Sequence, residues 1–157
     1  MKITEPQIPL TILLADDDVD DCIFFKGALA KSFVLTNFIA VHNGKELMEV
    51  LMSDTRELPD ALFIDLNMPR KNGFECLSEI KLTAKLKHIP VIMYSTSNDQ
   101  GVVDRLYDNG AQYFIRKPSM ISQFEEIIHR TLILIAKRDL KQPAREHFKL
   151  ELEIELS

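Results

Sequence analysis

Three observations predict an α/β fold, a doubly wound parallel sheet with helices on both faces. Ile12–Ala15, Ala61–Ile64, Val91–Tyr94 and Tyr113–Ile115 are apolar at consecutive positions, as strands covered on both faces are. Segments with apolar residues at helical spacing fill the gaps between them. Strand and helix patterns alternate through five rounds, and right-handed crossovers turn that order into a parallel sheet.

The first strand leads to a helical pattern over Asp20–Phe33, with Phe24, Phe25, Ala28, Leu29 and Phe33 in register. Thr36–Val41 is a mixed strand that suits a sheet edge. Asn43-Gly44 reads as a turn into a helix over Lys45–Met52, which repeats Leu47, Val50 and Leu51. After the third strand, Asn72-Gly73 is a second such turn, and Phe74–Leu82 repeats Phe74, Leu77 and Ile80. The fourth strand precedes a helix over Val102–Asn109 that Gly110 stops. The fifth precedes Ile121–Lys137, which carries Phe124, Ile127, Ile128 and Ile135.

Composition narrows the function. The chain has 157 residues, 46% of them apolar, enough for one domain with its own core. A disordered tail, a collagen-like fibre and a disulfide knot are excluded. The longest apolar run, Leu132–Ala136, is too short to cross a bilayer, so no membrane partner is expected. Met1–Thr11 carries Lys2, Glu5, Pro6 and Pro9 and does not read as a signal peptide. Cys22 and Cys76 alone make no disulfide framework, and a cytoplasmic location is expected. The net charge of −5 weighs against a nucleic-acid partner.

Sheets of this kind carry their site beyond the carboxyl ends of the strands. Asp16-Asp17-Asp18 and Asp20-Asp21 follow the first strand, Asp65 the third, Ser95-Thr96-Ser97 the fourth and Lys117-Pro118 the fifth. Singly, each has a plain reading: helix caps, a turn former, a solvated lysine. Their joint placement on one rim is what those readings leave out. Crowded carboxylates raise their pKa values or recruit a cation, and an oxygen-only donor set suits Mg2+. A carboxylate facing that cation and a lysine can attack phosphorus to give an aspartyl phosphate. Mg2+, the lysine and a hydroxyl would stabilise the phosphoryl oxygens in the transition state.

With these residues the chain resembles the receiver domain of two-component response regulators. The resemblance rests on Ile12-Leu13-Leu14-Ala15-Asp16-Asp17-Asp18, Asp65-Leu66-Asn67-Met68-Pro69 with Asn72-Gly73, Pro90–Ser95, and Gly110–Pro118, in that order. It implies a flavodoxin-like five-stranded sheet in the order 2-1-3-4-5. It divides the chain into a leader (1–9), a receiver domain (10–138) and a tail (139–157). It makes Asp65 the phosphoacceptor, with Mg2+ held by Asp16, Asp17, Asp65 and the carbonyl of Asn67. Lys117 would pair with Asp65 and then with a phosphoryl oxygen, and Ser95 would hydrogen-bond another. Thr96, where many members have alanine, would narrow access to Asp65. Phe114 would turn into the space that Ser95 vacates, altering the face made by the fourth helix, fifth strand and fifth helix. The Lys117–Pro118 peptide is expected to be cis. The implied partners are a histidine kinase or histidine phosphotransfer protein and an unidentified downstream protein. The chain would act as a stand-alone receiver that modifies itself rather than as a turnover enzyme. The alternative is a phosphorylation-independent interaction module on the same fold.

Competing motifs fail on their own terms. Asp16, Asp18 and Asp20 mimic a calcium loop, but Asp21 and Gly27 stand where Gly and Glu are required. A dehalogenase-type phosphatase needs a second acid where Asn67 stands, and no Gly-Lys-Ser/Thr phosphate loop occurs. His42, His88, His129 and His147 lack metal-ligand spacing, and His129 reads as a surface residue of a helix. In the tail, Phe148, Leu150, Leu152, Ile154 and Leu156 alternate with charged residues, the period of a strand. It is expected either to fray or to pair with a sheet edge, of this chain or of a second copy in a homodimer.

Overall fold

The computed structural model describes residues 8–138 and 141–152. Its elements are β1 (Leu10–Ala15), α1 (Val19–Lys31), β2 (Thr36–Val41), α2 (Gly44–Met52), β3 (Ala61–Asp65) and α3 (Gly73–Leu82). They continue with β4 (Val91–Ser95), α4 (Gln100–Asp108), β5 (Tyr113–Arg116), α5 (Ile121–Ala136), a 3-10 turn at Arg145–His147 and β6 (Lys149–Leu150). Among the described residues these strands form one sheet in the order β2-β1-β3-β4-β5-β6, with all neighbours parallel. The strand order reverses between β1 and β3, so their carboxyl ends diverge around a crevice there.

Burial explains which runs became central. Every residue of β3 and of β4 is buried, whereas β2, at the edge, is only partly covered. One layer of the core joins β-strand side chains to Leu47 and Leu51 of α2, Leu77 and Ile80 of α3, and Val103 and Leu106 of α4. The other joins them to Phe25 and Leu29 of α1 and to Phe124, Ile128 and Leu132 of α5. Helices α1 and α5 therefore share one face, and α2, α3 and α4 the other.

Local chemistry sets the helix starts. Asn43 and Asn72 are N-caps, and Asn72 closes a capping box with Glu75. Gly73 begins α3 hard against the end of β3: a Cβ there would lie 2.5 Å from the Asp65 carbonyl oxygen. Only glycine allows that approach, which packs α3 directly behind Asp65. Gly110, with φ +93, ends α4 in the left-handed region.

The structure corrects the sequence reading of α1, and it takes up one of the two expectations for the tail, pairing with a sheet edge. Phe24 and Phe33 are 48% and 87% exposed. The buried stripe of α1 is Cys22, Phe25, Ala28 and Leu29, and Phe33 lies past the helix end at Ser32. The sheet has a sixth strand, because the tail pairs with the open edge of β5, where Phe114 and Ile115 register with Lys149 and Leu150. The alternation does not extend to Phe148, which closes the 3-10 turn in helical conformation. It packs on the α4 side, while Leu150 and Leu152 face the α5 side. Ile154 and Leu156 of the expected tail strand, and the leader up to Gln7, lie outside the described residues.

The tail is strapped to α4 before it reaches the sheet. Gln142 Nε2 donates to the Tyr107 and Ala111 carbonyls, both at 2.7 Å. Tyr107 Oη donates to the Pro143 carbonyl at 2.8 Å, and Arg145 stacks on the Tyr107 ring and pairs with Asp104 and Asp108.

Candidate functional site

Two strand ends and one helix turn bring carboxylates to a single ammonium group, carried by a third strand end. Asp16, just past β1, is fully buried. Its Oδ1 accepts from the Asp18 N–H at 2.9 Å and its Oδ2 from Lys117 Nζ at 2.9 Å. Asp65 ends β3; its Oδ1 accepts from the Asn67 N–H at 3.1 Å and its Oδ2 from Lys117 Nζ at 2.9 Å. Asp21, in the first turns of α1, accepts from the same ammonium at 2.8 Å. An oxygen from each of the three carboxylates lies within 4.8 Å of the others. Lys117 follows β5, with its N–H on the Ser95 carbonyl at 2.8 Å and its Nζ 4.4 Å from the Tyr94 ring centroid.

Electrostatics follow from crowding with little water. Burial pushes the Asp16 carboxyl up to about 6, against the Asp18 and Lys117 hydrogen bonds. Burial also opposes the Lys117 charge, yet its hydrogen bonds to Asp21 and Asp65 prevail and raise its pKa. Burial raises both the Tyr94 hydroxyl and the Cys22 thiol, the latter to about 11. The site thus holds one permanent cation among several acids, an arrangement stable only while the charges compensate.

The sequence-predicted residues divide accordingly. Asp16, Asp65 and Lys117 come together, with Asn67 holding Asp65 through its N–H. Ser95 is fully buried; its Oγ accepts from the Ser97 N–H at 3.2 Å, which leaves its proton for a donated bond. Asp17 is exposed and lies outside the three-carboxylate cluster. Thr96 is exposed and lines an open cavity of about 460 Å³ with Arg116, Lys117, Gln123 and Glu151. Phe114 is fully buried, and its N–H donates to the Phe148 carbonyl at 3.0 Å. The expected cis bond is absent: no peptide is cis among the described residues, so Lys117–Pro118 is trans. Trans is the lower-energy isomer for X–Pro bonds, and Lys117 meets all three carboxylates with it in place.

Two acidic residues changed role. Asp18 does what the plain reading assigns to the whole cluster: it caps α1 through the N–H groups of Asp20 and Asp21. Asp21 enters the sequence reading only as part of the acidic run after the first strand, with no role of its own. Its signal is helical spacing, since it lies one residue before Cys22 and four before Phe25, on the edge of the buried stripe. His129 bonds Ser32 Oγ at 2.7 Å and packs edge-on against Phe33, a structural role.

A doubly wound sheet with clustered acids and a buried lysine at its switch point is the frame of a phosphoryl-accepting signalling domain. The chain belongs to the response regulator receiver domain family, whose model matches residues 12–129. It is 32% identical over 122 residues to the two-component response regulator ORR5 of Oryza sativa subsp. japonica, covering 77% of this chain and 87% of that one. The phosphorylated cyanobacterial phytochrome response regulator RcpA superposes with a TM-score of 0.74 at 33% identity, covering 79% of this chain and 91% of that one. The Mn2+-bound form of response regulator Rcp1 also superposes with a TM-score of 0.74, at 26% identity, over 87% of this chain and all of that one. The protein is thus a receiver domain of two-component signal transduction. Among the described residues no helix is long and apolar enough to cross a membrane.

Proposed function

We propose that Asp65 is the phosphoacceptor, charged by a histidine kinase or histidine phosphotransfer protein in the cytoplasm with Mg2+ as the cofactor. One observation carries this: Asp65 is nearly buried, with one oxygen fixed by the Asn67 N–H and the other on the Lys117 ammonium. A carboxylate so held is oriented for attack and has a positive group beside it for the charge that arrives. The O–P bond forms as the donor's N–P bond breaks, and the departing imidazole keeps the electron pair. Lys117 can then neutralise one phosphoryl oxygen and the Ser95 hydroxyl can donate to another.

The donor set fits a hard divalent cation. Asp16 and Asp65 offer only oxygen, their carboxylates already gather around positive charge, and exposed Asp17 and the Asn67 carbonyl complete the candidate ligands. When bound, Mg2+ supplies charge neutralisation at the phosphoryl oxygens. Support for the cation also comes from Rcp1, which has a Mn2+-bound form. Cys22 and Cys76, buried and unpaired, fit a reducing compartment. The protein modifies itself and turns over no separate substrate. The signal passes through the face of α4, β5 and α5, with Phe114 beneath it, to a downstream protein or a second copy of the chain.

The test is labelling with acetyl phosphate and Mg2+, read as a mass increase of one phosphoryl group. The wild type is labelled; Asp65→Asn, or the wild type with the cation chelated, is not. Equal labelling of Asp65→Asn would remove Asp65 from this role. A wild type that never labels would make the chain a phosphorylation-independent module.

Asp16 makes cation binding pH-dependent. Its carboxyl, with a pKa of about 6, cannot ligate while protonated. Apparent Mg2+ affinity rises with pH and levels above about 7, falling about tenfold per pH unit on the acid side. Calorimetric titrations between pH 5 and 8 check this; a flat profile would contradict it. Without cation the sign for stability is opposite. Between the ordinary value of 3.8 and about 6 the folded state binds the extra proton, so Asp16 lowers stability as pH rises through that window.

A further inference from the structure

We infer that Asp21 is a positioning residue for Lys117. It keeps the ammonium at the phosphoryl site when the oxygens of Asp16 and Asp65 turn to a divalent cation and a phosphoryl group. This rests on reading Asp65 as the phosphoacceptor.

The ammonium has three donors, and the structure gives it three carboxylates, at 2.8 Å from Asp21 and 2.9 Å from Asp16 and Asp65. Two of these partners have other work. Asp16 and Asp65 are the oxygens a cation would take, and Asp65 is where the phosphoryl group would bond. A lysine on a flexible four-carbon stem, left with neither, swings toward water. Asp21 differs in origin and support. It projects from α1 rather than from a strand end, its own N–H is pinned to Asp18 Oδ1 at 3.2 Å, and the next residue, Cys22, is packed into the core. Its side chain is 31% exposed, at the rim, while that of Asp16 is wholly buried. On the same side, the Tyr94 ring lies 4.4 Å from Nζ. Asp21 and Tyr94 line one cavity with Lys117, Phe24 and Pro118. Together they form a saddle for the ammonium that shares no atom with the expected cation ligands.

The competing assignment makes Asp21 a third cation ligand, which its spacing to the other two oxygens also allows. Asp21→Asn separates the two. Mn2+ affinity is titrated by electron paramagnetic resonance, the Lys117 ammonium is followed by 15N NMR, and the acetyl phosphate labelling rate is measured at saturating cation. Positioning predicts Mn2+ affinity within about twofold of the wild type and a Lys117 resonance that moves when Mn2+-matched Mg2+ is added. It also predicts a saturating labelling rate down about tenfold or more, the scale of a misplaced group near reacting atoms. Asp21→Glu restores much of that rate. Affinity weakened more than tenfold with a normal saturating rate makes Asp21 a ligand and overturns the inference. So does an unchanged rate with an unmoved resonance, whether or not the melting temperature falls. The resonance and affinity arms need no labelling, so a failure of Asp65 as acceptor, seen in the wild type and Asp65→Asn, is told apart from a failure of Asp21.

Discussion

Lys117→Met loses about 3–5 kcal/mol of stability in cation-free buffer, the cost of removing one partner from a buried ion cluster, and is no longer labelled by acetyl phosphate. The lysine side chain is 11% exposed, Asp16 is fully buried and Asp65 is 9% exposed, so water screens little of the loss. Methionine keeps the bulk and removes the charge, leaving three carboxylates with oxygens within 4.8 Å of one another and no counter-ion. Two features separate this from ordinary core damage. The loss shrinks as pH falls toward about 6, because without Lys117 to hold its pKa down Asp16 takes up a proton at higher pH than in the wild type. It is also reversed by added Mg2+, which binds the vacated oxygens and stabilises the folded state by mass action. Urea titrations at pH 5 and 7.5, with and without Mg2+, measure both. An unfolding midpoint equal to that of the wild type without cation would show that the cluster is not held together by the ammonium.

Phe148→Ala costs about 3–5 kcal/mol, the range for truncating a buried aromatic. Phe148 is 1% exposed, its ring meets Tyr107 edge-on at 5.2 Å, and its carbonyl anchors the Phe114 N–H. Arg145→Ala, on the same strap but exposed, costs far less, because surface ion pairs contribute little. Chemical denaturation of both variants ranks them. If Phe148→Ala stays within 1 kcal/mol of the wild type, the tail does not lie on this sheet in solution. The oligomeric state of a chain cut before residue 143 shows whether a second copy uses that edge.

What was legible in the sequence were patterns that local physics repeats. β3 and β4 read as unbroken apolar runs because both of their faces are covered, and the caps at Asn43 and Asn72 are short-range chemistry. Asp16, Asp65 and Lys117 were found because parallel strands all end at one rim. Asp21 was not, because its role depends on where α1 leans toward β5, a tertiary fact. The side on which Phe148 packs depends on a 3-10 turn that breaks the period-two pattern one residue before the strand. Phe24 and Phe33 share spacing with the buried residues of α1 but miss its narrow stripe.

The strap has a consequence for recognition. The family match ends at residue 129, yet Gln142, Pro143 and Arg145 cover the end of α4, and Glu151 and Leu152 reach the cavity beside Lys117. A protein that docks on α4 meets a composite surface, made by the helix and by the tail strapped to it. Substitutions at Gln142 or Arg145 therefore reshape that docking surface without touching Asp65 or Lys117.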